Sequence, residues 1–327
     1  MNSGRIVGWV RTLSNLLLAC AVSTAHAQSW PIKPVRLIVP HAPGGVTDVV
    51  ARMVAQPLSE ALGQAIVIDN RPGASGLLGT EVAAKMAPDG YSLLMYVDAN
   101  TVFPSTVKQL NHDPLGSFDP VTIMGRGSHV LVAHPSLGVN NLTELAGYVK
   151  SRPRELSYAS PGTGSPQHLG MEIIRNALGM DLVHIPYKGG GQAIIDVVGG
   201  QVKLGMLGMA PALPHIKSGK LIAIAVTGRS RSVALPQVPT VAESGLGGFE
   251  TGQWQGIVVP AGTPASITDR LHTEMLKVMQ RADIKERLLT IGMDNSTSAT
   301  PAAFRAMLKD EVGKWAAVVK ASGIQPE

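Results

Sequence analysis

Several residue types that define common protein classes are scarce in this chain. Its 327 residues contain one cysteine, 4% aromatic residues and 16% charged residues. A single cysteine excludes a disulfide-stapled scaffold. The low charged fraction, together with a 45% share of hydrophobic residues, excludes a disordered chain and a coiled coil. At roughly 100–200 residues per domain, the length accommodates two domains with an ample hydrophobic core.

Positive charge is only slightly in excess. The chain has 28 Lys and Arg against 23 Asp and Glu, with no basic run of five or more residues. Proteins that bind nucleic acids usually carry a clustered basic patch, often interleaved with aromatic residues. We therefore expect no nucleic-acid partner.

The motifs of common enzyme classes are also missing. The chain has neither the GxxxxGK[ST] loop nor the GxGxxG fingerprint of nucleotide-binding proteins, and neither a GxSxG elbow nor an HExxH pair. A triad assembled from Ser165, His168 and Asp48 is disfavoured, because nothing places a base and an oxyanion hole around one serine. We therefore expect no catalysis, no cofactor and no metal. An enzyme acting on a carboxylate stays the alternative, which substrate turnover would reveal.

The first 27 residues have the features of an export signal. Two arginines precede a short apolar stretch at residues 13–22, and residues 25–27 (Ala-His-Ala) form a small-x-small cleavage site. Cleavage after Ala27 would deliver to the periplasm a cysteine-free protein whose net charge is lowered from +5 to about +3. Two alternatives stay open. One is a membrane anchor, although the stretch is short for a bilayer; the other is lipidation at Cys20, which ends a loose lipobox.

Beyond this leader, short apolar runs rich in β-branched residues alternate with longer helical patterns. The alternation predicts an α/β fold with largely parallel strands. Near the C-terminus the pattern changes to two amphipathic helical stretches, residues 264–289 and 301–321, without a strand between them. These terminal helices indicate that the chain returns to its first lobe. We predict a first lobe of residues 28–128 and 253–327, with a second lobe of residues 129–252 inserted into it.

Glycine-rich turns connect a strand end to a helix start in each predicted lobe, at residues 40–48 in the first and at residues 160–168 in the second, and a third turn of the same form lies at residues 186–192. Glycine lets the backbone approach a ligand closely, and the free N–H groups of a helix N-terminus carry partial positive charge. The two loops therefore predict a site for a carboxylate or another small anion. The alternative is that they are ordinary strand-to-helix connections, in which Thr47 and Ser165 only cap helices.

Three further residues are candidates for contact with a ligand. Asp98 and Asn100 follow an apolar strand, and the carboxyl ends of parallel strands usually face the ligand crevice. A carboxylate there could accept hydrogen bonds from an amine, amide or hydroxyl group; the alternative is a helix-capping or turn role. Trp254 follows the predicted return to the first lobe, where it could cap the cleft or simply pack between the lobes.

A series of short motifs runs through the chain in a characteristic order. It includes PIKPVRLIVP at residues 31–40, PGG-x-TD at 43–48, DNRPGA at 69–74, APDGYSLL at 87–94, YAS-x-G-x-GS at 158–165 and PTVAESG at 239–245. Together these motifs closely resemble the Bug/TctC family, the extracytoplasmic solute-binding proteins of tripartite tricarboxylate transporters. The likeness covers essentially the whole chain after the leader.

This resemblance implies a two-lobed α/β fold of the periplasmic-binding-protein kind (type II). Each lobe would be a sheet flanked by helices, with a ligand cleft between the lobes. It implies that the protein captures a small carboxylate and delivers it to the membrane subunits of the transporter. A sensor role, in which the liganded protein contacts a sensor-kinase ectodomain, stays the alternative. We expect a monomer.

The resemblance also assigns ligand-binding residues to the two glycine-rich loops. They are Gly44, Gly45, Thr47 and Asp48 in the first loop and Ser160, Gly162, Gly164 and Ser165 in the second, with His168 nearby. This chain departs from the family pattern at His41, at Asp98 and Asn100, and at Leu207, where the family commonly has an aspartate.

Two hypotheses follow from these departures. Asp98 replaces the polar anchor lost at Leu207, and His41 adds a switchable charge near the ligand. We expect Asp98, Asn100, Leu207 and Trp254 to set specificity. The departures disfavour citrate and leave room for an amino acid, an aromatic acid or an amidated acid.

Overall fold

The computed structural model describes residues 30–322 and residue 326. The predicted leader and Cys20 lie outside the described residues. Residues 30–32 belong to a separate N-terminal unit and contain neither helix nor strand. The remaining described residues form two β-sheets flanked by helices.

Eleven strands and ten α-helices alternate along the described chain. The strands are β1 (Val35–Val39), β2 (Ile66–Asn70), β3 (Ser92–Val97), β4 (Phe118–Gly127), β5 (His129–Ala133), β6 (Ser157–Ser160), β7 (Val183–Pro186), β8 (Leu204–Gly208), β9 (Ile222–Val226), β10 (Gln253–Pro260) and β11 (Met293–Asp294). The helices are α1 (Val46–Leu62), α2 (Leu77–Ala84), α3 (Asp98–Thr106), α4 (Leu142–Lys150), α5 (Pro166–Leu178), α6 (Gly190–Val198), α7 (Met209–Lys217), α8 (Ala265–Gln280), α9 (Ala282–Thr290) and α10 (Pro301–Ser322). Short 3₁₀ turns lie at Ala74–Gly76 and Pro135–Leu137.

The first sheet has the strand order β11-β4-β10-β3-β1-β2. Its strand β1 runs parallel to β2 and β3, whereas β10 runs antiparallel to both β3 and β4. The central strand β3 is buried at all but its first residue, as its continuous apolar run predicts for a strand covered on both faces. Three of the five strand pairings in this sheet are antiparallel, so the prediction of largely parallel strands is wrong here. The reason is that the return strand β10 comes from the far end of the chain.

The second sheet has the order β7-β6-β8-β5-β9. Strand β6 is parallel to β7 and β8, and β5 is antiparallel to β8 and β9. All of its strands come from residues 129–226, whereas the first sheet takes strands from both sides of that segment. The α/β fold is therefore built on two mixed sheets.

Local end signals position the helices that surround the sheets. Helix α1 ends at Gly63, whose left-handed φ of 72° lets its N–H group bond to the carbonyl oxygen of Ser59. Helix α5 opens with Pro166 after Ser165, whose hydroxyl oxygen accepts a hydrogen bond from the N–H group of His168. Because such signals are local, the sequence pattern predicts helices over residues 46–62 and 166–178, which are the bounds of α1 and α5 in the structure.

Other elements escape sequence-based prediction. Strand β4 contains Pro120, and helices α3 and α7 contain Pro104 and Pro214 in their interiors. Proline weakens both the helix and the strand pattern. The stretch at residues 264–289 is two helices rather than one, because Arg281 adopts an extended ψ of 138° between them.

Each sheet is covered by its own hydrophobic core. On the first sheet Trp254 packs among Tyr96 and Phe304, and on the second Leu131, Met171 and Leu204 are fully buried. Burying one such large apolar side chain contributes about 1.5–3 kcal/mol. Of the helices in residues 30–322, none is long and apolar enough to cross a membrane.

Candidate functional site

A small buried cavity lies between the two sheets. Its volume is about 40 Å³, enough for a few water molecules. The first-sheet side contributes His41, Gly45, Val46, Thr47, Asp98, Ala99, Gln253 and Gln255, and the second-sheet side contributes Pro161, Ser165, Gln167, Gly190, Gly208 and Pro211. Of the predicted site residues, it therefore brings together His41, Gly45, Thr47, Asp98 and Ser165.

Five helices begin at this cavity: α1, α3, α5, α6 and α7 each contribute a residue of the N-cap or first turn to its wall. The N-cap residues of α1, α6 and α7 are Gly45, Gly189 and Gly208, and no side chain caps these helices. The first-turn N–H groups of a helix have no carbonyl partner within the helix. They therefore supply donors and partial positive charge, which suits an anion.

The side chain of Asp48 stabilises the first glycine-rich loop from the side away from the cavity. This carboxylate accepts hydrogen bonds from the N–H group of Gly44 at 3.0 Å, from Arg52 Nε at 2.9 Å and from Asn70 Nδ2 at 3.0 Å. Burial alone would raise the pKa of Asp48, but these hydrogen bonds and the Arg52 charge lower it below its usual value. Asp48 does not line the cavity, so it shapes the loop rather than facing a ligand.

His41 forms part of the cavity wall as a neutral side chain. Its Nε2 donates to the carbonyl oxygen of Ser75 at 3.1 Å, which leaves Nδ1 to accept from the Thr47 hydroxyl at 3.2 Å. Burial lowers the pKa of His41, although the charge of Asp98 and the bond to Ser75 act against this. The lowered pKa disfavours a charged His41 ring at neutral pH, and the hypothesis that this residue adds a switchable charge stays a prediction.

The second glycine-rich loop is organised by a pair of stacked histidines. The rings of His168 and His184 lie 4.0 Å apart between centroids, and His168 Nδ1 accepts from the N–H group of Gly164 at 3.1 Å. The Ser160 hydroxyl lies 2.7 Å from His184 Nε2. Burial, with the charges of His168 and Arg175, lowers the pKa of His184 to about 3. Ser160 and His168 therefore support the loop.

A second, larger cavity of about 410 Å³ lies beside the first. Three predicted residues, Gly162, Gly164 and His168, line this cavity instead of the smaller one. Ser75 lines the larger cavity and bonds to His41, which lines the smaller one. The His41 side chain therefore stands between the two spaces.

Asp98 is the predicted specificity residue that the structure places in the cavity. It is the first residue of α3 and is only 5% exposed. Its Oδ2 lies 3.5 Å from Nε2 of His129, a fully buried residue at the start of β5. Asp98 thus presents a carboxylate at the cavity wall.

Three other predicted specificity residues do not reach the cavity. Asn100 is used within its own lobe, where Oδ1 accepts from the N–H group of Val97 and Nδ2 donates to Thr80 Oγ1. Leu207 is fully buried in the core of the second sheet, and Trp254 lies in the core of the first. The positions of Asn100, Leu207 and Trp254 therefore do not support contact with a ligand. Asn100 caps a helix, and the other two side chains pack in hydrophobic cores.

Two glutamines at the cavity were not predicted. Gln253 and Gln255 flank Trp254 on β10, and successive side chains of a strand point to opposite faces. With Trp254 in the core, both glutamines face the cavity. The signal in the sequence was this polar-aromatic-polar alternation. Gly208 was also missed, and Gly190 lies in the glycine-rich turn at residues 186–192 but was not among the predicted ligand-binding residues.

The cavity holds no cluster of metal ligands. In the part of the chain that the structure describes, no three His, Cys, Asp or Glu side chains lie close enough together to hold a metal ion. The first-turn N–H groups around the cavity are hydrogen-bond donors of the kind that suits an anion.

Comparison with known proteins agrees with this geometry. Residues 50–324 match the family model described as "Tripartite tricarboxylate transporter family receptor" (TctC). The chain is 36% identical to Protein BugT of Bordetella pertussis (strain Tohama I) over 299 residues, which are 91% of each protein.

Solved structures show the same fold. The periplasmic binding protein BugD is 37% identical with a TM-score of 0.88, over 91% of this chain and all of that one. R. palustris Rpa4515 with adipate is 32% identical with a TM-score of 0.88, over 91% of this chain and all of that one. These likenesses confirm the predicted resemblance and the two-lobed fold. TctC proteins are binding proteins and not enzymes, and this chain belongs to the TctC family of periplasmic solute-binding proteins.

Proposed function

We propose that this protein captures a small carboxylate in the cavity between its lobes and delivers it to the membrane subunits of a tripartite tricarboxylate-type transporter. The observation that carries this proposal is the convergence of five helix N-termini on one buried cavity. The adipate in the relative named above supports a carboxylate as the class of ligand.

The carboxylate accepts hydrogen bonds from the first turns of α1 and α6, which approach it from opposite lobes. Gly45 and Thr47 contribute from one side and Gly190 from the other. Gly44 and Asp48 hold the first loop, while Ser160, Gly162, Gly164, Ser165 and His168 hold the second. Excluding water from this space strengthens each charge-assisted hydrogen bond.

Delivery requires that the cleft opens and closes. We assign residues 28–128 and 253–327 to one lobe and residues 129–252 to the other, with the two chain crossings between them acting as a hinge. Hinge closure around a ligand is the usual motion of periplasmic binding proteins. The closed, liganded form is the one that the membrane subunits recognise.

Thermal unfolding tests the binding role. The purified protein, unfolded and refolded to remove any retained ligand, is heated with dicarboxylates, citrate, amino acids, nicotinate and benzoate. A ligand at about 100 times its Kd adds roughly 2.7 kcal/mol, which raises the Tm by a few degrees. A protein whose Tm is unmoved by every acid would contradict carboxylate binding.

Uptake measurements test the delivery role. Cells that lack this protein should lose uptake of the radiolabelled acid and regain it when the chain is supplied. Normal uptake combined with loss of an acid-dependent transcriptional response would instead support contact with a sensor-kinase ectodomain.

The state of the exported protein is tested by its mass. We propose that export removes residues 1–27, so the periplasmic protein starts at Gln28 and sediments as a monomer. An acylated product starting at Cys20 would contradict the start at Gln28, and an uncleaved chain would contradict removal of the leader. A dimer would contradict the monomeric state.

A further inference from the structure

Two acceptor atoms of cavity-lining side chains have no hydrogen-bond partner among the described residues. Asp98 Oδ2 and Gln255 Oε1 are buried and accept no hydrogen bond from any residue that the structure describes. Both residues line the cavity, and they are only 5% and 2% exposed. The side chains that carry these unpaired oxygens therefore form part of the wall of a space that a ligand would fill.

Leaving such atoms unpaired is costly. A buried polar group without a hydrogen bond loses the water it had in the unfolded chain and gains nothing in return. The cost is greater for a carboxylate than for an amide, because burial also disfavours its charge. A ligand that donates to these oxygens would recover part of that cost on binding.

Among the residues that the structure describes, no Lys or Arg side chain lines the cavity. The nearby Arg52 is already bonded to Asp48. The His41 ring uses its single N–H group on Ser75. His129 Nε2 lies 3.5 Å from Asp98 Oδ2, and that contact does not form a hydrogen bond.

The side chains of Asp98 and Gln255 differ in the ligand groups that they can contact. The side-chain amide of Gln255 can turn and present its nitrogen, so it adapts to a donor or an acceptor. An ionised carboxylate can only accept hydrogen bonds, and it repels a second negative charge placed against it. Asp98 is therefore the residue that discriminates between a hydrogen-bond donor and a second carboxylate on the ligand.

We propose that the ligand carries an N–H donor, a protonated amine or a primary amide, where a dicarboxylate carries its second carboxylate. The helix N-termini hold the single carboxylate, and Asp98 with Gln255 accepts from the nitrogen. This inference rests on the proposed function, and it makes the ligand an amino acid or an amidated acid instead of a diacid such as adipate.

Matched acids test the inference on the intact protein. One series is succinate, succinamate, γ-aminobutyrate and butyrate; a second is glutarate, glutaramate, δ-aminovalerate and valerate; a third places the same four groups para on benzoate. Isothermal titration calorimetry gives the Kd of each acid for the wild type, for Asp98→Asn and for a control, Asp181→Asn. Asp181 is half-exposed and lies outside the cavity.

In the series that binds best, the amine or amide should bind the wild type at least about tenfold more tightly than the diacid. Asp98→Asn should reduce that preference by at least about tenfold, and Asp181→Asn should retain it.

The inference is overturned if the diacid or the methyl-ended acid binds the wild type most tightly, an outcome that leaves the proposed function standing and needs no variant. It is also overturned if Asp98→Asn keeps the wild-type preference. Failure of every acid in all series overturns the proposed function together with the inference.

Discussion

The hydroxyl group of Ser75 donates a 2.7 Å hydrogen bond to the carbonyl oxygen of Thr163. Ser75 lies in the 3₁₀ turn after β2 of the first sheet, and Thr163 lies in the loop after β6 of the second. The bond therefore fastens one lobe to the other beside the cavity. Ser75 also holds a left-handed φ of 56°, a conformation that costs a residue other than glycine about 1–2 kcal/mol. We call this contact between Ser75 and Thr163 the latch.

The latch should favour the closed protein. Ser75→Ala removes a hydrogen bond worth about 0.5–1.5 kcal/mol, and this bond needs the lobes together. We expect the variant to bind its ligand about two- to tenfold more weakly while the unfolding midpoint of the unliganded, open protein changes little. Calorimetry and thermal unfolding measure both quantities. Ser136→Ala, at an exposed turn, is the control and should leave affinity unchanged; equal affinity of the two variants would contradict a closing role.

Gly191 allows the two lobes to touch. A Cβ atom at this position of α6 would collide with the carbonyl oxygen of Pro43 and lie 3.0 Å from the nitrogen of Gly45, both in the first glycine-rich loop. Gly191→Ala should therefore block closure and weaken ligand binding more than tenfold, an expectation of at least about 1.4 kcal/mol.

The same substitution should not harm folding of the open protein. Alanine is favoured over glycine inside a helix by about 0.8–1 kcal/mol, so the unliganded Tm should hold or rise. Gly147→Ala in α4 is the matched control, since nothing lies within 4 Å of its Cβ position. It should raise the Tm and leave affinity unaltered. Wild-type affinity in Gly191→Ala would show that the lobes do not approach in this way.

Substitution of Asp48 should weaken the binding of all ligands by a similar factor. Asp48→Asn weakens the bonds to Arg52 and Gly44, and hydrogen bonds to charged groups contribute about 1.5–3 kcal/mol each. Because Asp48 does not line the cavity, the loosened loop should lower every affinity by a similar factor. The wild-type order of ligands should persist, and a changed order in the calorimetric panel would place Asp48 in contact with the ligand.

Acid should destabilise the protein through His184. Its pKa is lowered to about 3 in the folded protein, against about 6.5 in the unfolded chain. Below pH 6.5 the unfolded chain therefore binds the proton first, and stability is lost as the pH falls from 6.5 toward 3. Between pH 6.5 and 4.5 this histidine accounts for up to about 2 kcal/mol.

Denaturant unfolding across that pH range measures the effect. His184→Gln keeps a hydrogen-bonding group near Ser160 but cannot be protonated, so its stability should fall less steeply with acid. His134→Gln, which lies outside both cavities, serves as the matched control and should follow the wild type. If the free energy of unfolding of the wild type and of His184→Gln falls in parallel with pH, the loss of stability in acid does not come from His184.

Part of this molecule could be predicted because its signals are local. Helix α1 lies between Gly45 and Gly63, and α5 opens at Ser165-Pro166; capping groups and fixed φ angles act within a few residues. The positions of the two glycine-rich loops, and the prediction that they suit an anion, follow from the same local rules.

The pairing partners of the strands could not be predicted in this way. Strand β10 lies between β3 and β4 and is antiparallel to both, although more than 120 residues of chain separate it from them. Such pairing depends on which distant surfaces bury each other, a quantity that no short window of sequence contains.

By itself the sequence determined the alternation of strands and helices, the position of the glycine-rich loops and the family. Only the tertiary structure decided which polar residues meet at the cavity. Asp98 and Gln255 reach it, whereas Asn100 is used in a helix cap and Trp254 turns into the core. The physical reason is that burial and hydrogen-bond partners are set by elements far apart in the chain. A polar side chain is available to a ligand only when it is not already packed in a core or hydrogen-bonded to a neighbouring group.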